Sequence, residues 1–436
     1  MAEIRPFRGV RYNQEIIPDL GRVICPPYDV ISPQFQQELY RRSDFNFVRV
    51  EYNPETPQDT AGNSRYTRAA LTLQHWLEQD ILREDKSPAL YLYDQYFSCE
   101  EKGYRRGAII AVVKLEDWSR GVIRPHEGTL GQPKQDRINM LRVCQANTSP
   151  IMALYQDEGK QVRSLLAKQA EKEPVIRIGG IDAEIHYVWP ITDTGVIAEI
   201  IGFLAQKPLY IADGHHRYES ALAYQHERIS SSTAITGEEG FNYAMMALID
   251  FNDPGLVILP PHRLVRGVPR ALINDLTKNL KLFFDVQDLP LREDDVWQRV
   301  ESSLANRDGD RKLVLFGPDK EKLLVLTLRD FTATDRMMPF FRSDVYKRLM
   351  VSVVDHVILE KLLEIPKDSE GANLAYSYDK RDAVSMVQAD DYQLAFLLSP
   401  INPGMVKAIA DIGDRMPRKS TYFYPKLPSG LVINRW

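Results

Sequence analysis

Short β-rich runs alternate with amphipathic stretches from one end of the 436-residue chain to the other, and no Gly/Ser/Pro-rich linker interrupts them. A chain of that pattern has to stack helices on sheets, so the expected class is α+β. TRAALTLQHWLEQDIL (67–82) spaces its apolar residues at three and four, as a packed helix does. YLYDQYF (91–97) and GAIIAVVKLEDW (107–118), joined through EKGYRR, read as a hairpin. Helices are expected over 158–172 and 193–206, and strands at EIHYVWPI and FNYAMMALIDF. A second series follows: a helix, LKLFFDV, a further helix, the hairpin KLVLFGPDKEKLLVLTL, and the amphipathic YKRLMVSVVDHVILEKLLEI. The division therefore falls near residue 269, giving a first domain of residues 1–268 and a second α+β domain of residues 269–436.

With 44% hydrophobic and 26% charged residues, the chain has enough apolar material for two cores. Its 55 basic and 60 acidic residues leave a net charge of -5, so no global positive field draws it to nucleic acid or to an anionic membrane. Cys25, Cys99 and Cys144 form no CxxC pair, which argues against a disulfide framework and a structural zinc site and fits a reducing cytoplasm. The opening MAEIRPFRGVRYN has no apolar leader core, and no segment approaches the roughly 18 apolar residues of a membrane span. The expectation is a soluble protein with a small-molecule partner, whose helix at 345–363 could supply a dimer face.

Candidate chemistry concentrates in LYIADGHHRYESALAYQHER (209–228). Leu209 to Ala212 suit a buried strand, and Tyr218, Ala221, Leu222 and Tyr224 share one side of the helix that follows. Asp213 and Gly214 lie between them, the first a good N-cap and the second permitting a sharp turn or close approach to a ligand. The first helical turn then offers free N–H groups at the positive dipole end, with His215, His216 and Arg217 adding donors; phosphate is the obvious anion. The same residues can also simply cap and pack a helix start, and spacing alone leaves both readings open.

A second cluster, PHEGTLGQPKQDR (125–137), holds His126, Glu127, Lys134, Asp136 and Arg137 among Gly128, Gly131 and Pro133. It reads as an irregular loop, able to close over a phosphate or carboxylate with Lys134 and Arg137 as cationic partners, or else as a surface loop with local salt bridges. In CPPYDVIS, Pro26 and Pro27 stiffen the approach to Asp29, and Ser32 before Pro33 looks like a helix start. Asp29 could accept a hydroxyl proton or satisfy a turn; Glu127 is the alternative base or a metal ligand. His262 and Arg263 in LPPHRL could line the same cleft or stabilise a strand edge. Lys419, Ser420 and Tyr422 in RKSTYFYPKLPSG suit an edge strand, and His356 a core or interface position. The chain has no GxxxxGK[ST], no strand-linked GxGxxG, no HExxH and no GxSxG.

ADGHHR (212–217) resembles the nucleotide-phosphate motif of the ParB/sulfiredoxin-like superfamily, which includes the free-serine kinases. Over its length the chain resembles the family catalogued as domain of unknown function 1015, in IRPFRGVRYN, PPYDVIS, NSRYTRAA, PHEGTL, PKQDR, ANTSPI, YIADGHHRYESAL, LPPHRL and MPRKSTYFYPKLPSGL. The superfamily resemblance implies a ParB/sulfiredoxin-like mixed α/β core, with Asp213, Gly214, His215, His216 and Arg217 on the nucleotide phosphates. It further implies phosphate transfer from ATP or ADP, with Mg²⁺, to a small hydroxyl substrate of which free serine leads. Asp29, Glu127 and His216 are then the candidates at the reacting centre, Asp29 being best placed for the early carboxylate that serine kinases use as base, although no glutamate aligns there. Sulfiredoxin chemistry needs a cysteine in the motif, and none of the three falls in it. The DNA-partitioning members carry a helix-turn-helix and a basic surface, and this chain shows neither clearly. The alternatives to a kinase are a nucleotide-binding regulatory module without turnover and a purely structural scaffold.

Overall fold

The structure is a computed structural model that describes the chain apart from residues 61, 130, 182–183, 232–233, 306–310 and 367–370. It has two compact units. The first comprises Met1–Pro125, Thr129–Val257 and Pro425–Trp436; the second comprises His126–Gly128 and Ile258–Tyr424.

A mixed nine-stranded sheet forms the first unit. Its strands are β1 (Ile4–Arg5), β2 (Leu90–Cys99), β3 (Lys102–Lys114), β4 (Ile123–Pro125), β5 (Ile151–Tyr155), β6 (Ile176–Ile181), β7 (Glu184–Ile191), β8 (Leu209–Asp213) and β9 (Tyr243–Asp250). They lie in the order β4-β8-β5-β9-β3-β2-β7-β6, with β1 on β3. The expected hairpin is β2–β3, antiparallel from Tyr91 opposite Ile110 to Cys99 opposite Lys102. Two pairs are parallel, β8 with β4 and β9 with β5. The longer helices are α1 (Pro33–Arg42), α2 (Arg65–Glu78), α3 (Gly131–Cys144), α4 (Gln161–Gln169), α5 (Thr194–Leu204) and α6 (His215–Ser231). Ser32 caps α1 by accepting from the Phe35 amide, with Pro33 in its first turn, and Ser64 with Thr67 forms a capping box on α2. Ile197, Ile200 and Leu204 of α5 and Tyr218, Ala221 and Leu222 of α6 pack on Ile109, Ala111, Ala153, Ile211 and Met246 of the sheet.

The stretch 125–137 departs from the loop expected of it. Helix α3 begins at Gly131, so Lys134, Asp136 and Arg137 ride on its first two turns. Gly and Pro in the first turn do not break a helix, because the amides there have no intrahelical partner in any case. Downstream, Ile138, Met140, Leu141 and Cys144 are buried and anchor the helix.

The C-terminal segment from Pro425 is stitched back into this unit. Fully buried Arg106 donates to the Pro425 carbonyl at 2.6 Å, Ile433 exchanges backbone hydrogen bonds with Val10, and Asn434 donates to Asn147 at 3.0 Å.

In the second unit six antiparallel strands, β10 (His262–Val265), β11 (Phe284–Pro290), β12 (Lys312–Phe316), β13 (Lys322–Leu328), β14 (Leu374–Ser377) and β15 (Leu394–Leu397), lie in the order β11-β13-β12-β15-β10-β14. Helices α7 (Val296–Leu304) and α8 (Lys380–Gln388) cover its core through Val300, Leu304, Ala383 and Val387. The helical run from Met350 to Leu362, expected to offer a dimer face, instead buries Met350 to Val354 and His356 to Leu359 within the chain. No helix among the described residues is long and apolar enough to cross a membrane.

Candidate functional site

The ADGHHR stretch is a strand-to-helix junction: β8 ends at Asp213, Gly214 turns with φ +89°, and α6 starts at His215. A positive φ favours glycine, and here close approach adds to the requirement. A Cβ on Gly214 would lie 2.9 Å from Arg217 Nε, because the guanidinium folds back over this residue. Arg217 Nη2 donates to Asp213 Oδ2 at 2.6 Å, and its Nη1 donates to the Pro150 carbonyl at 2.6 Å. The other Asp213 oxygen accepts from Lys426 Nζ. Asp213 therefore holds two cations.

Lys426 ties this junction to the early acid, with its Nζ 4.0 Å from Asp29 Oδ2. Asp29 sits on the short turn Tyr28–Val30, which follows Pro27. The Lys426 and Arg217 side chains are 11% and 10% exposed, Asp29 37%. Low exposure strengthens the attraction between these charges, while Asp29 keeps access to solvent. His215 is buried and His216 half-buried at the start of α6. Sequence reasoning passed over Lys426 itself, although MPRKSTYFYPKLPSGL contains it; its signal is a lone lysine between two prolines in a segment quoted for other residues.

Beside the Tyr28 turn, α3 contributes a buried ion network. Arg137 Nη2 lies 2.6 Å from Asp136 Oδ2 and its Nη1 3.5 Å from Glu51 Oε1, while its Cζ stands 3.9 Å from the centre of the Tyr28 ring. Asp136 also accepts from Arg65 and, at 2.9 Å, from the Tyr66 hydroxyl. Burial opposes ionisation of Asp136, but Arg137 and Arg65 overcome it and hold the carboxyl below its ordinary value. Burial pushes the Tyr28 phenol up to about 12 against the pull of Arg137. Arg137 thus positions the turn that carries Asp29. Lys134 is more exposed, 4.0 Å from Glu219 of α6.

The remaining candidates fall in the second unit. Glu127 Oε1 accepts from the Ser420 amide (3.1 Å), the Thr421 amide (3.1 Å) and the Thr421 hydroxyl (2.9 Å), and His126 Nε2 lies 2.9 Å from the same hydroxyl. Fully buried Arg263 donates to Asp355 and to the Pro261 and Lys419 carbonyls. His262 Nδ1 accepts from the Leu398 amide at 3.1 Å, and burial pulls its pKa down to about 3. Internal partners engage all four. The structure brings together Asp29, Asp213, Gly214, His215, His216, Arg217 and, through Tyr28, Arg137; it places His126, Glu127, His262 and Arg263 in the other unit.

A domain carrying a glycine-turned helix start with lysine, arginine and two carboxylates before it defines a class, an α+β protein with a charged junction at the end of a sheet strand. The chain belongs to the family described as "Protein of unknown function (DUF1015)", whose model matches residues 4–353. No match is found among curated proteins. Among solved structures, a conserved hypothetical protein from Pyrococcus furiosus is similar at 13% identity, with 74% of this chain and 93% of that chain covered and a TM-score of 0.35. A free serine kinase in complex with AMP is similar at 13% identity, 72% and 86% coverage and a TM-score of 0.35. SbnI from Staphylococcus aureus, truncated at its C-terminus, is similar at 10% identity, 73% and 85% coverage and a TM-score of 0.35.

Proposed function

We propose that the protein binds a purine nucleotide at the Asp213–Lys426 junction and transfers a phosphoryl group from it to the hydroxyl of a small metabolite, with free serine the first substrate to try. The observation that carries this reading is Lys426 standing between Asp213 and Asp29 in front of the α6 N-terminus. Phosphoryl transfer requires cations on the developing charge, amide donors for the phosphate oxygens and a base for the acceptor hydroxyl, held in fixed geometry. Lys426 supplies the cation, and the first-turn amides of α6 together with His216 supply donors. Asp213 orients Lys426 and Arg217, and Asp29 receives the hydroxyl proton. The hydroxyl oxygen forms the new P–O bond as the bond from phosphorus to the nucleotide's bridging oxygen breaks, and the nucleotide leaves one phosphate shorter. Magnesium is usually held by one or two carboxylates plus phosphate oxygens. Asp29 fits that role better than Asp213, whose oxygens both carry cations, and no cluster of three or more metal-ligating side chains occurs among the described residues. When bound, the ion would neutralise phosphate charge.

A regulatory module that binds nucleotide without turnover is the second reading, favoured by one feature: both Arg217 Nη atoms already donate to Asp213 and Pro150. Incubating the protein with ATP or ADP, Mg²⁺ and serine, and following phosphoserine by mass spectrometry alongside nucleotide-dependent thermal shifts, separates the two. Phosphoserine formation that falls on the order of 100-fold or more in Asp29→Asn, with nucleotide binding retained, supports the kinase. Binding without product selects the module, and no thermal shift with any nucleotide removes both.

A further inference from the structure

A second constellation lies at the far end of β5. Met152 stands beside Asp213, whereas Tyr155 at the other end stands beside Asp250. There the first unit encloses a cavity of about 370 Å³, lined among others by Asp94, Gly107, Tyr155, Arg163, Asp250 and Asp253. That volume lies within the range of small-molecule sites.

Asp94 is the unusual member. It is 2% exposed; its Oδ2 accepts from Arg105 Nε at 3.0 Å and Nη2 at 2.6 Å, while its Oδ1 is buried with no hydrogen-bond partner. Leaving a buried acceptor without a donor is costly, more so when it is charged, so an orphan of this kind calls for a reason. The cavity that Asp94 lines supplies one. A Cβ on Gly107 would lie 3.2 Å from Asp94 Oδ1 and 3.7 Å from Asp253 Oδ2, so the bare glycine keeps a side chain from crowding these two carboxylate oxygens at the cavity wall. The loop that carries Asp253 is fixed on β3: Asp253 accepts from the Gly107 amide at 3.1 Å and from the Gly255 amide at 2.8 Å. Asp250 is held through the amides of Asp157 and Asn252. Burial pushes all three carboxyls up, the behaviour of acids that lack sufficient cationic company. The basic side chains at this cavity, Lys102, Arg105 and Arg163, are exposed, so acids lie deep and bases shallow.

We propose that this cavity binds the primary ammonium group of a small metabolite, seated over Gly107 between Asp94 and Asp253. Three N–H donors on one cation match a niche that presents several carboxylate oxygens and no donor for Asp94 Oδ1. The shallow bases admit a carboxylate at the ligand's outer end, so a zwitterionic amino acid and a simple amine share the inner contact. A divalent metal fits less well, since the described residues contain no ligand cluster for one. The proposal does not rest on the nucleotide reading, because its residues are separate from those around Asp213.

Calorimetric titration of the full chain with ethylamine, L-alanine and Mg²⁺ alone tests it; alanine lacks a hydroxyl and cannot serve as a phosphoryl acceptor. Saturable binding of ethylamine or alanine is expected, tighter for alanine where the rim bases take part. Gly107→Ala, which keeps the Asp94–Arg105 pair but fills the niche, and Asp94→Asn should each weaken it by about tenfold or more. His216→Ala should leave it unchanged whatever happens to nucleotide binding. No saturable binding of either amine on the order of 10 mM, binding indifferent to both variants in folded protein, or a response to Mg²⁺ alone would each overturn the assignment.

Discussion

The two ends of β5 show the same kind of side chain in opposite states. At the Met152 end, Asp213 has a cation on each oxygen, Arg217 and Lys426. At the Tyr155 end, Asp94 shares only one oxygen with Arg105, and Asp250 and Asp253 are held mainly by backbone amides. A carboxylate saturated from within the chain works as a clamp that fixes cations in place, and on the proposed function those cations meet an anion. A carboxylate left short of donors, as Asp94 is, fits the proposed receptor, whose ligand would bring the donors. The difference comes from which segments each end receives, the returning C-terminus with its lysine at one and the tight 250–255 loop at the other.

The largest expected effect tests the clamp. Asp213→Asn leaves Lys426 and Arg217 largely buried without their charge partner, and should lower stability by about 3 kcal/mol in urea unfolding. Adding Lys426→Met should recover much of that loss, because removing both members of a buried pair is far less damaging than removing one. A loss under about 1 kcal/mol for the single variant would mean that both cations find water and that the comparison with Asp94 is overdrawn.

These two ends were unequally legible from sequence. The β8–α6 junction announces itself, since an apolar run, Asp-Gly and an amphipathic run follow one another within twenty residues. Its partners do not: Lys426 is 213 positions away from Asp213, and the two prolines around it do not say which carboxylate it meets. The α+β class and the β2–β3 hairpin were readable because periodicity is a local property. A short helix is expected after the 125–137 loop, but it starts earlier, at Gly131, because Gly131 and Pro133 are tolerated at a helix start. The receptor end went unread entirely. Asp94 lies inside YLYDQYF, where alternation makes it look like an outward strand residue, and only the pairing of β2 with β3 sets it beside Gly107. The return of residues 425–436 to the first unit is likewise a long-range event without a local signal.

Acid titration sharpens the contrast, because two groups in the same sheet should respond with opposite sign. His186 on β7 lies 2.9 Å through its Nδ1 from the Tyr93 hydroxyl and 3.6 Å through its Nε2 from Glu184, yet burial first and Arg106 second pull its pKa down to about 4. Its folded-state pKa lies below the ordinary 6.5, so its contribution is fully present above 6.5 and is lost as pH falls from there towards 4. That loss should amount to about 2 kcal/mol and be flattened in His186→Gln, as read from urea midpoints across the window. An unchanged acid slope would place the titration elsewhere.

Asp94 should run the other way, with a smaller effect. Burial raises its folded-state pKa above the ordinary 3.8, so its favourable contribution is complete below 3.8 and is lost as pH rises through the folded-state value. Relative to wild type, Asp94→Asn should therefore gain stability as pH climbs from below 3.8 to neutrality, by about 1 kcal/mol, because the amide carries no charge to bury. A gain that shrinks with pH would mean that Arg105 dominates and that the receptor end is as satisfied as the clamp.

The smallest effect separates the clamp from its surroundings. Lys134 sits on the first turn of α3, 37% exposed and 4.0 Å from Glu219, within sight of α6 but outside the group that Asp213 organises. A pair 4.0 Å apart whose lysine stays partly exposed contributes little, and Lys134→Ala should change stability by under about 0.5 kcal/mol. It should also leave the nucleotide-induced thermal shift intact, whereas Lys426→Met should abolish it. Equal losses from the two lysine variants would show that the phosphate-binding charge is spread along α3 and α6 instead of being gathered at Asp213. The contrast between the ends of β5 would then be one of degree, set by how many cations surround each end and not by a clamp built at one of them.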